Sequence, residues 1–186
     1  MNEDEQYIAD SIRLWVWSGY YSAEEMDEMV DDVLDGECDV AMLKGLIAPE
    51  LQRKREAERH WPAKTDCERL DALFEQLHEE GICALDNAGY TMSDGFAEIA
   101  EALHEAPEGH YHGYCFYHGQ DIERSIQEGG LMLAFGAMSD DPEQALQVAQ
   151  RIGQLCRAAG FEVHWDGSVK QRIDLVGFTW QRRHLH

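Results

Sequence analysis

The stretch Gly81–Gly95, GICALDNAGYTMSDG, decides how this chain is read, and Phe116–Asp121, FYHGQD, repeats its form later on. Each begins as a short apolar run, breaks into small polar residues, and is followed by a helical pattern. An apolar run of four residues bounded by glycine suits a buried strand, and the helix that follows suits a sheet flanked by helices. In such folds the loops at strand ends are where ligand-contacting groups gather. The two loops hold Asn87, Tyr90, Asp94, His118, Gln120 and Asp121, which together form a candidate site.

Working outward, Thr65 and Glu68 have capping-box spacing. Cys67, Leu70, Leu73, Phe74 and Leu77 then line one helical face that Gly81 closes. Ile82–Leu85 reads as a strand, followed by a helix with Phe96, Ile99, Ala100 and Leu103 on its apolar side. Tyr114–Tyr117 is a second strand, and a brief helix carries Ile122 and Ile126 to Gly129–Gly130. Leu131–Phe135 is a third strand, apolar enough to be buried on both faces. Asp141 and Pro142 open a long helix, with Leu146, Ala149, Ile152, Cys156 and Ala159 facing inward. Phe161, Val163 and Trp165 alternate with polar residues, and Asp166–Gly167 signals a hairpin into a last strand over Gln171–Trp180. A three-residue loop would pair Phe161 with Ile173 and Glu162 with Arg172.

The first sixty residues have no strand pattern. Asn2 with Glu5 and Ser22 with Glu25 are two capping boxes. They precede faces built on Ile8, Ile12 and Trp15 and on Met26, Met29, Val30 and Val33, with Gly36 ending the second. A third helix follows Asp39 and is bent or restarted at Pro49. LQRKREAERH is nearly all charged and reads as an exposed helical connector closing at Trp61–Pro62. The expected architecture is α+β: a mixed sheet of about five strands flanked by helices, residues 63–186, preceded by an all-helical N-terminal module, residues 1–62.

Composition narrows the function. The chain has 186 residues and a formal charge of −22. Residues 1–39 hold thirteen acids against Arg13 alone, whereas residues 151–186 hold six bases against three acids. A polyanion is repelled by phosphate backbones and anionic lipid, which argues against nucleic acid and membrane partners. No apolar run approaches the roughly 20 residues of a membrane span. The acidic start, MNEDEQ, is unlike a signal peptide. Five cysteines, odd in number and without a C-x-x-C pair, suit free thiols in a reducing cytoplasm.

The motifs NAGYTMSDG, FYHGQD, LMLAFG and WDGS…RIDLVGFTWQRR resemble a family of uncharacterised bacterial proteins known as a domain of unknown function. The resemblance spans roughly residues 61–183. It implies a bacterial cytosolic protein and brings no activity, substrate or catalytic residue with it.

Chemistry is therefore read from the residues. His118 titrates near neutrality and can serve as general acid or base, with Asp121 or Asp94 to orient it, while Asn87, Tyr90 and Gln120 position a polar ligand. The plainer reading makes Ser93 or Asp94 a helix cap, Asn87 and Gly89 a turn, and Asp121 the cap of the short helix. Cys115 falls on the opposite strand face from Phe116 and opposite His118, against a Cys–His pair. His104, His110, His112 and His118 crowd one segment, but they lack a helical metal-ligand spacing, so no metal or other cofactor is assigned. The leading expectation is a small-ligand-binding protein or enzyme. The alternative is a non-catalytic acidic interaction or inhibitor protein for a basic partner.

Overall fold

A computed structural model describes residues 1–34 and 38–184. Gly36, read as a helix end, and His186 lie outside these residues. The chain divides into two compact units, Asp66–Trp180 and Met1–Thr65 with Gln181–His186. The fold is α+β, with helices preceding a five-stranded mixed sheet. No helix among the described residues is long and apolar enough to cross a membrane.

The helical unit contains α1 (Glu3–Ser18), α2 (Ala23–Val33), α3 (Val40–Lys44) and α4 (Ile47–Glu58). Both capping boxes are formed, Asn2 with Glu5 and Ser22 with Glu25. Asp39 caps α3, and Pro49 falls in the first turn of α4, where a missing N–H does no harm. Ile8, Ile12, Val16, Met26, Val30, Leu43 and Ile47 make the core. The connector read as wholly exposed is not so: Lys54 on α4 is 1% exposed and donates to the Val16 carbonyl at 3.0 Å. Its long aliphatic stem lets a lysine join a core while the ammonium reaches a helix-end carbonyl. The chain's last residues, read from sequence with the α+β domain, group with this unit. The His184 N–H donates to Glu58 at 3.1 Å, and Arg182 lies over the Tyr20 ring.

The sheet unit runs α5 (Asp66–Glu79), β1 (Ile82–Leu85), α6 (Met92–Glu105), β2 (Gly113–Phe116), α7 (Gly119–Glu128), β3 (Leu131–Ala137), α8 (Pro142–Ala158), β4 (Glu162–His164) and β5 (Ile173–Val176). Strand order is β1-β2-β3-β5-β4, parallel between β1 and β2 and antiparallel elsewhere. The α5 face is the one its periodicity marks: Cys67, Leu70, Leu73, Phe74 and Leu77 are all buried. Burying each leucine there is worth about 2 kcal/mol. Cys83, Phe116 and Ala134 pack with Ile99 of α6 in a second core cluster.

Three expectations change. The last strand, expected over Gln171–Trp180, is only Ile173–Val176. On α6, Ile99 is buried and Leu103 packs beside it as expected, but Ala100 is exposed and Phe96 is half exposed, its ring set edge-on against Phe116, while Gly95 makes the close approach. The helix approaches β2 so closely that a Cβ on Gly95 would overlap the Phe116 ring. The β4–β5 pairing also differs, matching Glu162 with Val176, Val163 with Leu175 and His164 with Asp174. The loop is longer than three residues. The Trp165 indole N–H donates to the carbonyls of Ser168 and Gln171, and the Asp166 carboxylate accepts the Ser168 N–H at 2.8 Å.

Candidate functional site

Parallel pairing of β1 with β2 ends both strands together, at Leu85 and Phe116, so their following loops leave the sheet side by side. Three backbone bonds lace them: Ala88 N–H to Tyr117 (2.9 Å), Gly119 N–H to Gly89 (2.9 Å) and Gln120 N–H to Tyr90 (3.1 Å). The first N–H groups of α7 are thus taken up by the neighbouring loop and do not await an anion. Glycine is required by this closeness. At Gly119 a Cβ would stand 2.8 Å from the Tyr90 ring, and at Gly89, which has φ +59°, it would overlap Asp94. Asn87 is the non-glycine residue with positive φ (+45°) among the described residues, a conformation asparagine tolerates.

The sequence candidates separate into two groups. Asp94 belongs to the cap of α6: Thr91, not Ser93 or Asp94, is the N-cap. The Asp94 carboxylate accepts the Thr91 N–H and hydroxyl, both at 2.8 Å. The Thr91 backbone bond, with its hydroxyl, holds the Asp94 carboxyl below the usual range. Tyr90 is half exposed and donates to Glu123 at 3.2 Å, and Gln120 is exposed.

His118 and Asp121 meet in the interior. They are 3% and 1% exposed, and His118 Nε2 lies 3.2 Å from Asp121 Oδ2. The same oxygen accepts the His118 N–H at 3.3 Å. Arg172 Nη1 donates to both Asp121 oxygens at 2.9 Å, and Arg124 adds a longer bond of 3.4 Å. Burial pulls the His118 pKa below the usual histidine value. Asp121 opposes that shift, and Arg172 and Arg124 add to it. A neutral ring facing a carboxylate carries its proton on Nε2, which leaves Nδ1 as an acceptor. That Nδ1 is buried without a hydrogen-bond partner, and so is Ser125 Oγ one helical turn beyond Asp121.

His118, Asp121 and Ser125 are three of the six buried polar side chains among the described residues, and they form one row at the start and along the inner face of α7. Buried polar groups are normally satisfied, so two orphans in one row mark this place. Beside the row lies a cleft of about 280 Å³ between α7 and the sheet, reached by Asp121, Arg124, Met132 and Asp174 and floored at Gly129–Gly130. Sequence reading missed Ser125, Arg124, Arg172 and Asp174. The first two were accessible from helical spacing, three and four residues after Asp121. Arg172 was assigned to Glu162 and bonds Asp121 instead.

A larger cleft, about 430 Å³, opens at the N-terminal end of α8 among His112, Asp141, Glu143, Gln147 and Arg151, apart from the residues singled out in sequence. Beside the histidine-rich segment, His78 Nδ1 of α5 lies 2.8 Å from the Tyr111 hydroxyl, and its Nε2 lies 2.7 Å from the Ala84 carbonyl. Among the described residues no three His, Cys, Asp or Glu side chains converge as metal ligands. The five cysteines are free, and burial pushes the Cys156 thiol up to about 12.

The architecture defines an α+β protein in which a helical unit precedes a mixed sheet and a buried His118–Asp121 pair, bonded by Arg172, lies at the start of one helix. The chain belongs to the family described as Domain of unknown function (DUF6891), which matches residues 1–184 and so takes in the helical unit as well as the sheet. No curated protein and no solved structure matches the chain.

Proposed function

We propose that this chain binds a small polar ligand in the cleft beside α7. One observation carries the reading: Asp121, the middle of a buried row whose other members His118 and Ser125 hold unpartnered polar atoms, lines a cleft that also presents Arg124 and Asp174. Concave sites with a few convergent charged groups are the usual places for ligands. Binding is favoured over catalysis because a His118 acid or base would have to reach the ligand with a ring that is 3% exposed. The setting that goes with it is the bacterial cytoplasm, where five free thiols stay reduced.

A thermal-stabilisation screen of polar metabolites tests this, with the Arg124→Gln variant run in parallel. The side chain of Arg124 is 45% exposed, so its loss leaves the fold intact. A stabilising metabolite whose effect disappears in the variant supports the reading. One that stabilises both proteins alike places the site elsewhere.

A second reading has its own support. Lys44 is engaged by Asp27 and Asp31, Arg69 by Asp66, Arg151 by Glu80, and Arg124 and Arg172 by Asp121. With these cations paired, the exposed surface is left strongly acidic, as a protein that captures a basic partner would be. Binding to a purified basic protein that survives high salt, or does not occur at low salt, removes this alternative.

A further inference from the structure

The cleft beside α7 holds two opposite charges that do not pair. Asp174 of β5 stands directly across from Met132 of β3, so both side chains lie on one sheet face. Its carboxylate makes no hydrogen bond or ion pair among the described residues. Arg124 of α7 reaches the same cleft with a single 3.4 Å bond to Asp121, whose oxygens Arg172 already holds at 2.9 Å. No bond or ion pair joins Asp174 to Arg124, although opposite charges lining one small cleft attract. The space between them is kept bare by Gly129 and Gly130, whose φ values of +80° and +76° exclude most side chains. At about 280 Å³ the cleft is just smaller than pockets for drug-sized ligands, which begin near roughly 300 Å³, and so suits a smaller molecule.

A cation held by one long bond and an anion with no bonded partner, kept apart across a gap of this size, complement a small zwitterion. Resting on the ligand reading above, we infer that the ligand is a free α-amino acid. Its ammonium group donates to Asp174, its carboxylate accepts from the Arg124 guanidinium, and its side chain lies along Met132. A planar guanidinium suits a carboxylate, and a compact ammonium suits a lone carboxylate, so the two ends fix the ligand's direction. A simple cation would leave Arg124 unused, and a simple anion would be repelled by Asp174.

The test is calorimetric titration of the full chain with the twenty free L-amino acids, each also offered as its N-acetyl and its carboxamide form. The expected result is that one or a few free amino acids bind. Blocking either end should weaken binding by about thirtyfold or more, as removing one partner of a charge pair does. Asp174→Asn and Arg124→Gln should each do the same with an unchanged melting temperature. If an N-acetyl form binds as well as its parent, or both variants bind normally, the inference is overturned. If another polar metabolite stabilises the protein through Arg124 and no amino acid does, the zwitterion fails and the ligand reading stands. If nothing binds, both fall.

Discussion

Gly95→Ala is the substitution that most sharply tests how the motif around Asn87 is built. Gly95 sits inside α6, where alanine is normally better than glycine by about 1 kcal/mol. On propensity alone the variant should be more stable. The structure predicts the reverse. A Cβ at this position would overlap the Phe116 ring, standing 2.8 Å from its Cδ2 and 3.0 Å from the Ala88 carbonyl oxygen. Neither neighbour can yield. Phe116 is 0% exposed and held edge-on by Phe96, and Ala88 is fixed through its backbone bond to Tyr117. Overpacking of this kind costs about 3 kcal/mol, so the net loss is about 2 kcal/mol after the helical gain. For a chain of this length that lowers the melting temperature by about 4–8 °C. Gly153→Ala on α8 is the control. Its new Cβ would meet only the mobile end of Arg157, 3.3 Å away, so about 1 kcal/mol is gained and melting rises by about 2–4 °C. Urea unfolding followed by tryptophan fluorescence reads both. A Gly95→Ala protein as stable as the parent would refute the reasoning and leave that glycine free for another role.

Other expectations follow from the polar groups. Arg172→Ala strips the buried Asp121 carboxylate of its two shortest bonds and should cost about 3 kcal/mol in denaturant, and the double variant with Asp121→Asn should recover part of that loss. His118 has a lowered pKa, so the unfolded chain binds its proton first as pH falls. The stability contributed by its neutral form is therefore fully present above about pH 6.5 and declines below it, and His118→Gln should flatten that slope in unfolding measured from pH 7.5 to 5. Asp94 has the opposite chemistry. Its carboxyl is lowered by the Thr91 bonds, so its contribution is present above the ordinary carboxylate range and lost in acid. Asp94→Asn should remove part of the acid-side fall below about pH 4. Thr91→Ala should cost about 1 kcal/mol at neutral pH through the lost cap.

The sequence made plain whatever repeats locally. The α5 face was named residue by residue because five apolar side chains at 3.6-residue spacing admit one orientation, and β1 was bounded correctly because glycine and aspartate bracket it. Period-two alternation fixes only which face a residue occupies. Pairing Phe161 with Ile173 and pairing Val163 with Leu175 put the same side chains inward, so the β4–β5 register could not be chosen that way. In the register formed, the Trp165 indole donates to two loop carbonyls, a contact that alternation does not encode. The inward face of α6 was legible at Ile99 and Leu103 but not at its centre, for a related reason. Its closest approach to the sheet is made by a glycine, which adds nothing to an apolar pattern. Within the site, His118 and Asp121 were legible three residues apart, whereas Arg172, fifty-one residues from Asp121, is brought in by the fold alone.

The residues that drew attention in the sequence and those that set the cleft's chemistry are largely different, and the difference has a physical basis. Gly89, Gly95 and Gly119 are small because Asp94, Phe116 and Tyr90 press against them, and Thr91 with Asp94 closes a helix end. Those residues are accounted for by how two loops and two helices interlock. Ser125, Arg124 and Asp174 are not. Structure alone gives no reason for an unpartnered hydroxyl inside α7, or for a cation and an anion that share a cleft and stay apart. Folding tends to remove such features, since an unsatisfied buried group costs about 1–3 kcal/mol and an unmade ion pair forgoes a smaller gain. Of these, Arg124 and Asp174 line the cleft and are the ones a bound molecule would satisfy. Substitutions there should alter ligand response before they alter stability, whereas substitutions in the motif glycines should do the reverse.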